Sequence, residues 1–298
     1  MNKCIADASR SLYPYGTRHS EEMIRDLSLR AQGYRAQVLR MVYGRKSGHI
    51  GGAFSIAEIL TALYFHQLRL DPANPTWEDR DRLVFSKGHA CAMLYTVLAH
   101  RGYFPVDELS TFRALNTRLQ GHPEPARTPG VEVAAGPLGH GVAIGAGMAL
   151  AARLEGSRRH VYVVLGDGEL NSGVIWEGLM LGAKFGLDNL KVIVDYNGVQ
   201  QTGTTKHVMP TEPIADKWAA FNWHVIEIHG HNMTAILDAL DSADEIHGRP
   251  TVIIARTTKG KGVSFMENAS QWHGAIPNTE QFEQALAELQ EGAKQWQV

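Results

Sequence analysis

Five short runs of consecutive aliphatic residues, each followed by a turn signal and then by a helix-like period, constrain this chain more than any other feature. They are Leu83-Val84-Phe85, residues 161–165, Val192-Ile193-Val194, Val225-Ile226 and Val252-Ile253-Ile254. A strand with one wet face alternates apolar and polar residues, whereas a strand covered on both faces stays apolar throughout. The runs therefore predict an α/β fold with a mostly parallel β-sheet and helices on both faces. Ligands of such sheets bind beyond the carboxyl ends of the strands. That directs attention to the residues after Leu165 and after Val194.

Helical periodicity predicts helices over 20–42, 55–66, 89–100, 140–154, 173–185, 234–246 and 279–289. Ser20 is placed to cap the first, and Glu21 and Glu22 suit its positive end. No internal repeat, low-complexity tract or long linker divides the sequence. We read 1–298 as a single domain, with 1–19 a loose N-terminal arm. A less regular connection over 197–213, rich in Gly, Thr and Gln, adjoins a strand end and is the kind of loop that carries function.

Charge excludes some partners. Lys+Arg total 29 against Asp+Glu 31, a net charge of −2, which offers no attraction to nucleic acid or to an anionic membrane surface. Residues 133–152 lack charged side chains but are interrupted by glycines and Pro137, so they read as a glycine loop entering a buried helix and not as a membrane span. The two cysteines, Cys4 and Cys91, make no disulfide framework. No apolar stretch of signal-peptide length opens the chain. We expect a cytoplasmic protein.

The candidate chemistry begins at Gly166-Asp167-Gly168-Glu169, where a buried strand ends in a carboxylate between two glycines. Alone, Asp-Gly is also an ordinary turn. Thirty positions after Asp167, however, a second buried strand ends in Asp195-Tyr196-Asn197-Gly198-Val199. If the two strands are neighbours, Asp167 and Asn197 meet at one sheet edge as hard oxygen donors. With the carbonyl of Val199 they suit Mg²⁺, the rest of whose octahedron a diphosphate can supply; Ca²⁺ or Mn²⁺ can substitute. The helix opening near Ser172-Gly173 points its N-terminus at the same anion.

These residues resemble the thiamine diphosphate signature, and the surrounding Gly-Asp-Gly-Glu-Leu-x-x-Gly-x-x-Trp-Glu pattern is similar to that of transketolases. Ser47-Gly48-His49-Ile50-Gly51-Gly52, Asp81-Arg82-Leu83-Val84-Phe85-Ser86-Lys87-Gly88-His89, Gly121-His122-Pro123-Glu124, Gly136-Pro137-Leu138-Gly139 and Trp272-His273-Gly274 occur in the family's order. Five ordered segments are far more specific than one motif. The resemblance runs from about residue 30 to 277. It implies the diphosphate-binding N-terminal subunit of a split transketolase, which moves a two-carbon ketol unit from a ketose (phosphate) to an aldose (phosphate). A separate C-terminal subunit would then bring the pyrimidine-binding half and its activating glutamate, in a self-associating heterotetramer. An exposed apolar surface of Leu138, Ile144, Met148, Ile175, Trp176 and Met180 would serve that assembly.

Carried over by resemblance, Gly136, Pro137, Leu138, Gly166, Asp167, Gly168, Glu169 and Asn197 contact the cofactor together with His89 and His273. By the same route His49 is the acid-base group at the reacting oxygen, His122 binds a donor hydroxyl and His273 also serves catalysis. Imidazole suits these tasks because it titrates near neutrality. With fourteen histidines in the chain, a surface or structural reading is preferred for His66, His100, His160, His207, His224, His229 and His231, and His140 stays open. Lys259 and Lys261 suit either a phosphate or a solvated turn. Ser172 stands where many transketolases have a glutamate linking paired sites. The alternatives are a deoxyxylulose-phosphate synthase-like or 2-oxo-acid dehydrogenase-like component, or a scaffold of this fold without turnover.

Overall fold

The computed structural model describes residues 10–11 and 19–294. Six strands, β1 (Arg10–Ser11), β2 (Arg82–Phe85), β3 (Val161–Gly166), β4 (Leu190–Tyr196), β5 (His224–His229) and β6 (Thr251–Arg256), form one sheet in the order β1-β5-β6-β4-β3-β2. Every pairing is parallel. The helices are α1 (Glu21–Arg45), α2 (Gly51–Phe54), α3 (Ala57–Ala62), α4 (Cys91–Arg101), α5 (Gly141–Leu154), α6 (Gly173–Lys184), α7 (Thr205–Val208), α8 (Ile214–Ala220), α9 (Met233–Asp244) and α10 (Thr279–Lys294).

Successive strand residues point to opposite faces, and here both faces are covered. Val161, Val163 and Leu165 of β3, with Val192 and Val194 of β4, pack against Val142 and Ala146 of α5, Ile175 and Leu179 of α6 and Trp218 of α8. Tyr162, Val164 and Ile193 pack on the other side with residues of α1, α3, α4 and α9. This two-sided burial is the reason the strands are apolar on consecutive positions, and the expected α/β class holds.

Local chemistry explains where boundaries differ from expectation. Ser20 Oγ accepts the Met23 N–H at 3.2 Å and starts α1 as predicted. The helix expected over 55–66 instead begins at Gly51 and is divided into α2, α3 and a π-helical turn, Leu63–Gln67. Ser55 lies at the break, where its hydroxyl donates to Gly52 O at 3.1 Å and to Asp195 at 2.7 Å; such side-chain bonds compete with a continuous helix. Residues 133–152 form a loop and then α5, and a Cβ on Gly145 would approach Val163 Cγ2 to 2.5 Å, so this glycine seats the helix on the sheet. Among the described residues no helix is long and apolar enough to cross a membrane. The expected arm over 1–19, and Cys4 within it, lie outside the described residues apart from 10–11 and His19. Cys91 is buried, which pushes its thiol up to about 12.

Candidate active site

The strand register builds the site. Gly166 of β3 pairs with Asp195 of β4, so the two chains leave the sheet side by side. Asp167 accepts the Gly198 N–H at 2.7 Å, and Asn197 Oδ1 accepts the Val199 N–H at 3.1 Å. Asp167 and Asn197 thus stand on one wall of a cavity of about 400 Å³. Gly136, Leu138, Gly166, Gly168, Glu169 and Val199 line it with them, as do His49, His89, His122, His273, Lys87 and Lys259. Of the residues expected at the site, Pro137 does not line the cavity; it is exposed between two that do.

The glycines leave room for a ligand. A Cβ on Gly136 would meet no protein atom within 4 Å, and one on Gly166 would meet only Glu169 Oε1 at 4.0 Å. Such a Cβ would fill space that belongs to the cavity. Gly88 serves differently, because a Cβ there would lie 1.8 Å from Ala135 O, which locks the His89 turn against the loop carrying Gly136. Nδ1 of His49 is buried and has no protein hydrogen-bond partner. Oxygen donors on one wall, backbone open to close approach and an orphaned imidazole nitrogen fit a diphosphate cofactor and its cation.

Burial sets the charge state of the three central imidazoles. The rings of His49, His89 and His273 lie 5.1–5.3 Å apart. Burial, with Arg113 next in weight, brings His49 down to about 4. Burial and the Lys259 ammonium bring His273 down to about 4, and burial and Lys87 hold His89 well below its ordinary value. All three are neutral at pH 7 and so offer one N–H and one lone pair each. Lys259 donates to His273 Nδ1 at 3.0 Å, which leaves Nε2 of that ring as the N–H donor.

The two carboxyl groups that line the cavity shift in the opposite sense. Burial and the charge of Asp195 raise Asp167 to about 7. Burial also raises Glu169, whose two oxygens are taken by the Ser86 hydroxyl and by the N–H groups of Gly139 and Gly166. Glu169 lines the cavity yet spends its acceptors on holding three loops together.

Several residues went unread in the sequence. Lys87 and Asp195 form a buried ion pair, and Asp195 also accepts from Ser55 and Thr257. Burial would raise Asp195, but Lys87 and these donors hold it below its ordinary value. Lys87 stands inside the Ser-Lys-Gly-His segment, and a charged residue at a strand's carboxyl end was the available signal. Arg113, in the left-handed region at φ 56, donates to Ser47 Oγ at 2.7 Å and to Gly121 O at 3.3 Å, joining the turns that carry His49 and His122. Gly52, Gln200 and Gln201 also line the cavity.

The two lysines of the 257–262 turn separate. Lys259 is 2% exposed and donates to Val199 O at 3.2 Å and Gln200 O at 3.3 Å, whereas Lys261 pairs with Glu267 on the surface. His231, read as structural, is buried beside Glu58, and its Nε2 accepts the Thr258 N–H at 2.8 Å, which anchors the turn that presents Lys259. Of the apolar residues expected at an interface, Leu138, Ile144 and Met180 are exposed, and Met148 and Trp176 are partly buried. Ile175 is a correction: it is fully buried in the core between α6 and the sheet.

A cleft at the carboxyl edge of a parallel sheet, with hard oxygen donors on one wall and neutral imidazoles on the other, is the design of a cofactor-dependent α/β enzyme. The family model described as transketolase, thiamine diphosphate binding domain, matches residues 28–292. The chain belongs to the transketolase family of transferases and carries that domain. It is 41% identical over 268 residues to an apulose-4-phosphate transketolase subunit of Phocaeicola vulgatus, a match covering 90% of this chain and 95% of that protein. It is 42% identical over 275 residues to the 6-deoxy-6-sulfo-D-fructose transketolase subunit SqwG of a Clostridium species, covering 92% of this chain and 100% of that protein. Among solved structures it is similar to a Pichia stipitis transketolase in complex with sedoheptulose 7-phosphate, with TM-score 0.82 and 31% identity over 92% of this chain and 46% of that one. The chain therefore spans about half the length of the solved transketolases and nearly all of the subunits it resembles.

Proposed function

We propose that this chain is the diphosphate-binding subunit of a two-chain transketolase that moves a two-carbon ketol unit between sugars, phosphorylated or not. The observation that carries this reading is the placement of Asp167 and Asn197 just beyond adjacent strand ends, in one cavity with three half-buried neutral imidazoles. The near-complete match to relatives named as transketolase subunits supports a partner chain that brings the pyrimidine-binding half. We assign that assembly to the cytoplasm as a heterotetramer that self-associates through the Leu138, Ile144 and Met180 surface.

Asp167, Asn197 and the carbonyl of Val199 would hold Mg²⁺, with Ca²⁺ or Mn²⁺ able to substitute. His89, His273 and Lys259 would face the diphosphate, the imidazoles as N–H donors and the ammonium as a charge. Backbone at Gly136, Leu138, Gly166 and Gly168 would lie against the cofactor, with Pro137 stiffening the approach. Glu169 would act by holding the Gly139 and Gly166 turns. When bound, thiamine diphosphate supplies the nucleophilic carbon and the electron sink for ketol transfer. His49, neutral and with a free ring nitrogen, would hold or give up the proton at the substrate's reacting oxygen. His122, on the neighbouring turn, would orient a donor hydroxyl.

The test is reconstitution. The purified chain with Mg²⁺ and thiamine diphosphate in excess should show no transfer from a ketose phosphate to an aldose. Adding a pyrimidine-binding partner chain from the same organism should produce transfer and tighten cofactor binding together, as linkage requires. Robust turnover by a preparation that mass spectrometry shows to hold no second polypeptide defeats the split-site reading.

A further inference from the structure

The opposite edge of the molecule carries a second constellation of ligating groups. His19 precedes α1, His66 lies in the π-helical turn after α3, and Asp241 lies in the last turn of α9. All three belong to element ends remote from the cofactor cleft. The other end of α1 leads to the turn carrying His49, α3 follows α2, whose Gly52 lines the cleft, and the last turn of α9 sits against the start of β4, where Lys191 meets Asp244 at 2.8 Å. The ligating atoms of His19, His66 and Asp241 lie within 4.8 Å of one another, and among the described residues they form the one group of this kind.

The geometry is close to that of a bound ion. Nε2 of His19 lies 3.2 Å from Asp241 Oδ2, and Nε2 of His66 lies 3.7 Å from Asp241 Oδ1. The two rings stand 5.0 Å apart at 86°. Donors held about 2.0–2.1 Å from one tetrahedral ion are roughly 3.3 Å from each other, so small rotations of three side chains suffice. A second carboxylate, Asp238, lies 3.9 Å from His19 Nε2.

The alternative is an ion pair between a protonated imidazole and Asp241. An ion pair of that kind aims its N–H along the donor-acceptor line. The His19 side chain is 7% exposed, yet its buried Nε2 makes no hydrogen bond of acceptable geometry. A nitrogen placed beside carboxylate oxygens but not aimed at one is placed for a third body between them.

We propose that His19, His66 and Asp241 form a structural site for a borderline divalent transition metal, of the Zn²⁺ class, that fastens the segment entering α1 to α9 and the end of α3. Two imidazoles and one carboxylate favour such an ion over Mg²⁺ or Ca²⁺. The site is separate from the cofactor cleft and supplies no group to it.

The full chain, stripped with a chelator, is titrated with Zn²⁺ by calorimetry while Mg²⁺ and thiamine diphosphate are in excess, and with Co²⁺ by visible absorption. One equivalent should bind, with the intense d–d band of tetrahedral Co²⁺ and a rise in melting temperature. His66→Ala and Asp241→Asn should each weaken binding by at least about 10–100-fold, the loss seen when even an outer partner of a ligand is removed. His89→Ala, which alters the other imidazole cluster, should leave it unchanged. Absence of Zn²⁺ binding, a Co²⁺ spectrum without the tetrahedral band, or a loss confined to His89→Ala overturns the proposal. The Co²⁺ measurement on the unaltered chain decides the question even if a variant fails to fold.

Discussion

Gly166 and Asp195 are register partners across β3 and β4, and that single pairing sets Asp167 beside the turn that begins at Asn197. Two residues thirty positions apart in the chain thereby share one cavity wall, where we propose that they hold the cation. Asp167→Ala and Asn197→Ala should each weaken Mg²⁺-dependent thiamine diphosphate binding, by on the order of tenfold or more, because the diphosphate loses its bridging ion. Calorimetry on the assembled enzyme checks this, and unchanged affinity in both variants removes them from the site.

His49 lines the same cavity and carries the orphaned nitrogen. His49→Ala should lower turnover by about 10²–10⁴-fold, with a much smaller change in cofactor affinity, since proton transfer contributes mainly to the chemical step. Steady-state kinetics at saturating cofactor read the difference. Near-normal turnover would make His49 a structural residue.

Two glycines should respond in opposite ways. At Gly88 a methyl group would collide with the backbone of Ala135, so Gly88→Ala should destabilise the fold by about 1–3 kcal/mol or more, as overpacking does. Gly166→Ala meets no protein atom closer than 4.0 Å and should melt near the parent while losing cofactor affinity. Thermal unfolding without ligands, paired with a binding titration, separates the two. Equal melting temperatures for both variants would contradict the assignment.

Lys87 and Asp195 are both buried, so removing one charge strands the other. Lys87→Met should cost about 3–5 kcal/mol, as for other broken buried pairs. Replacing both, as Lys87→Met with Asp195→Leu, should recover part of that loss. Urea unfolding of the single and double variants measures it, and additive losses would mean the pair does not interact.

His224 opens strand β5 of the sheet, where burial and the nearby Arg249 bring it down to about 4. The native state therefore refuses a proton that the unfolded chain accepts below about pH 6.5. Stability falls as pH drops from there toward 4 and levels off below. His224→Gln should remove up to one proton from this slope, about 1.4 kcal/mol per pH unit at most. Urea midpoints measured between pH 4 and 8 test it; an unchanged slope rules the residue out.

Much of this was legible in the residues alone. Apolar runs at 161–165, 192–194 and 252–254 could only be strands covered on both faces, and the glycines around Asp167 marked where such a sheet binds ligands. Ser20 announced the start of α1 because a capping hydroxyl acts locally. The break at Ser55 was not legible, since it depends on Asp195, a residue 140 positions away that only the folded sheet brings within 2.7 Å.

Sequence by itself determined the class of fold and the chemical kinds present at the cleft, because periodicity and side-chain type are properties of neighbouring residues. Tertiary structure alone decided which of fourteen histidines gather half-buried in the cleft, that Lys259 enters the cleft while Lys261 stays outside, and that His19, His66 and Asp241 meet at all. Burial, charge state and convergence are set by what lies across space from a residue, and strand order and helix packing assign those neighbours only once the chain has folded.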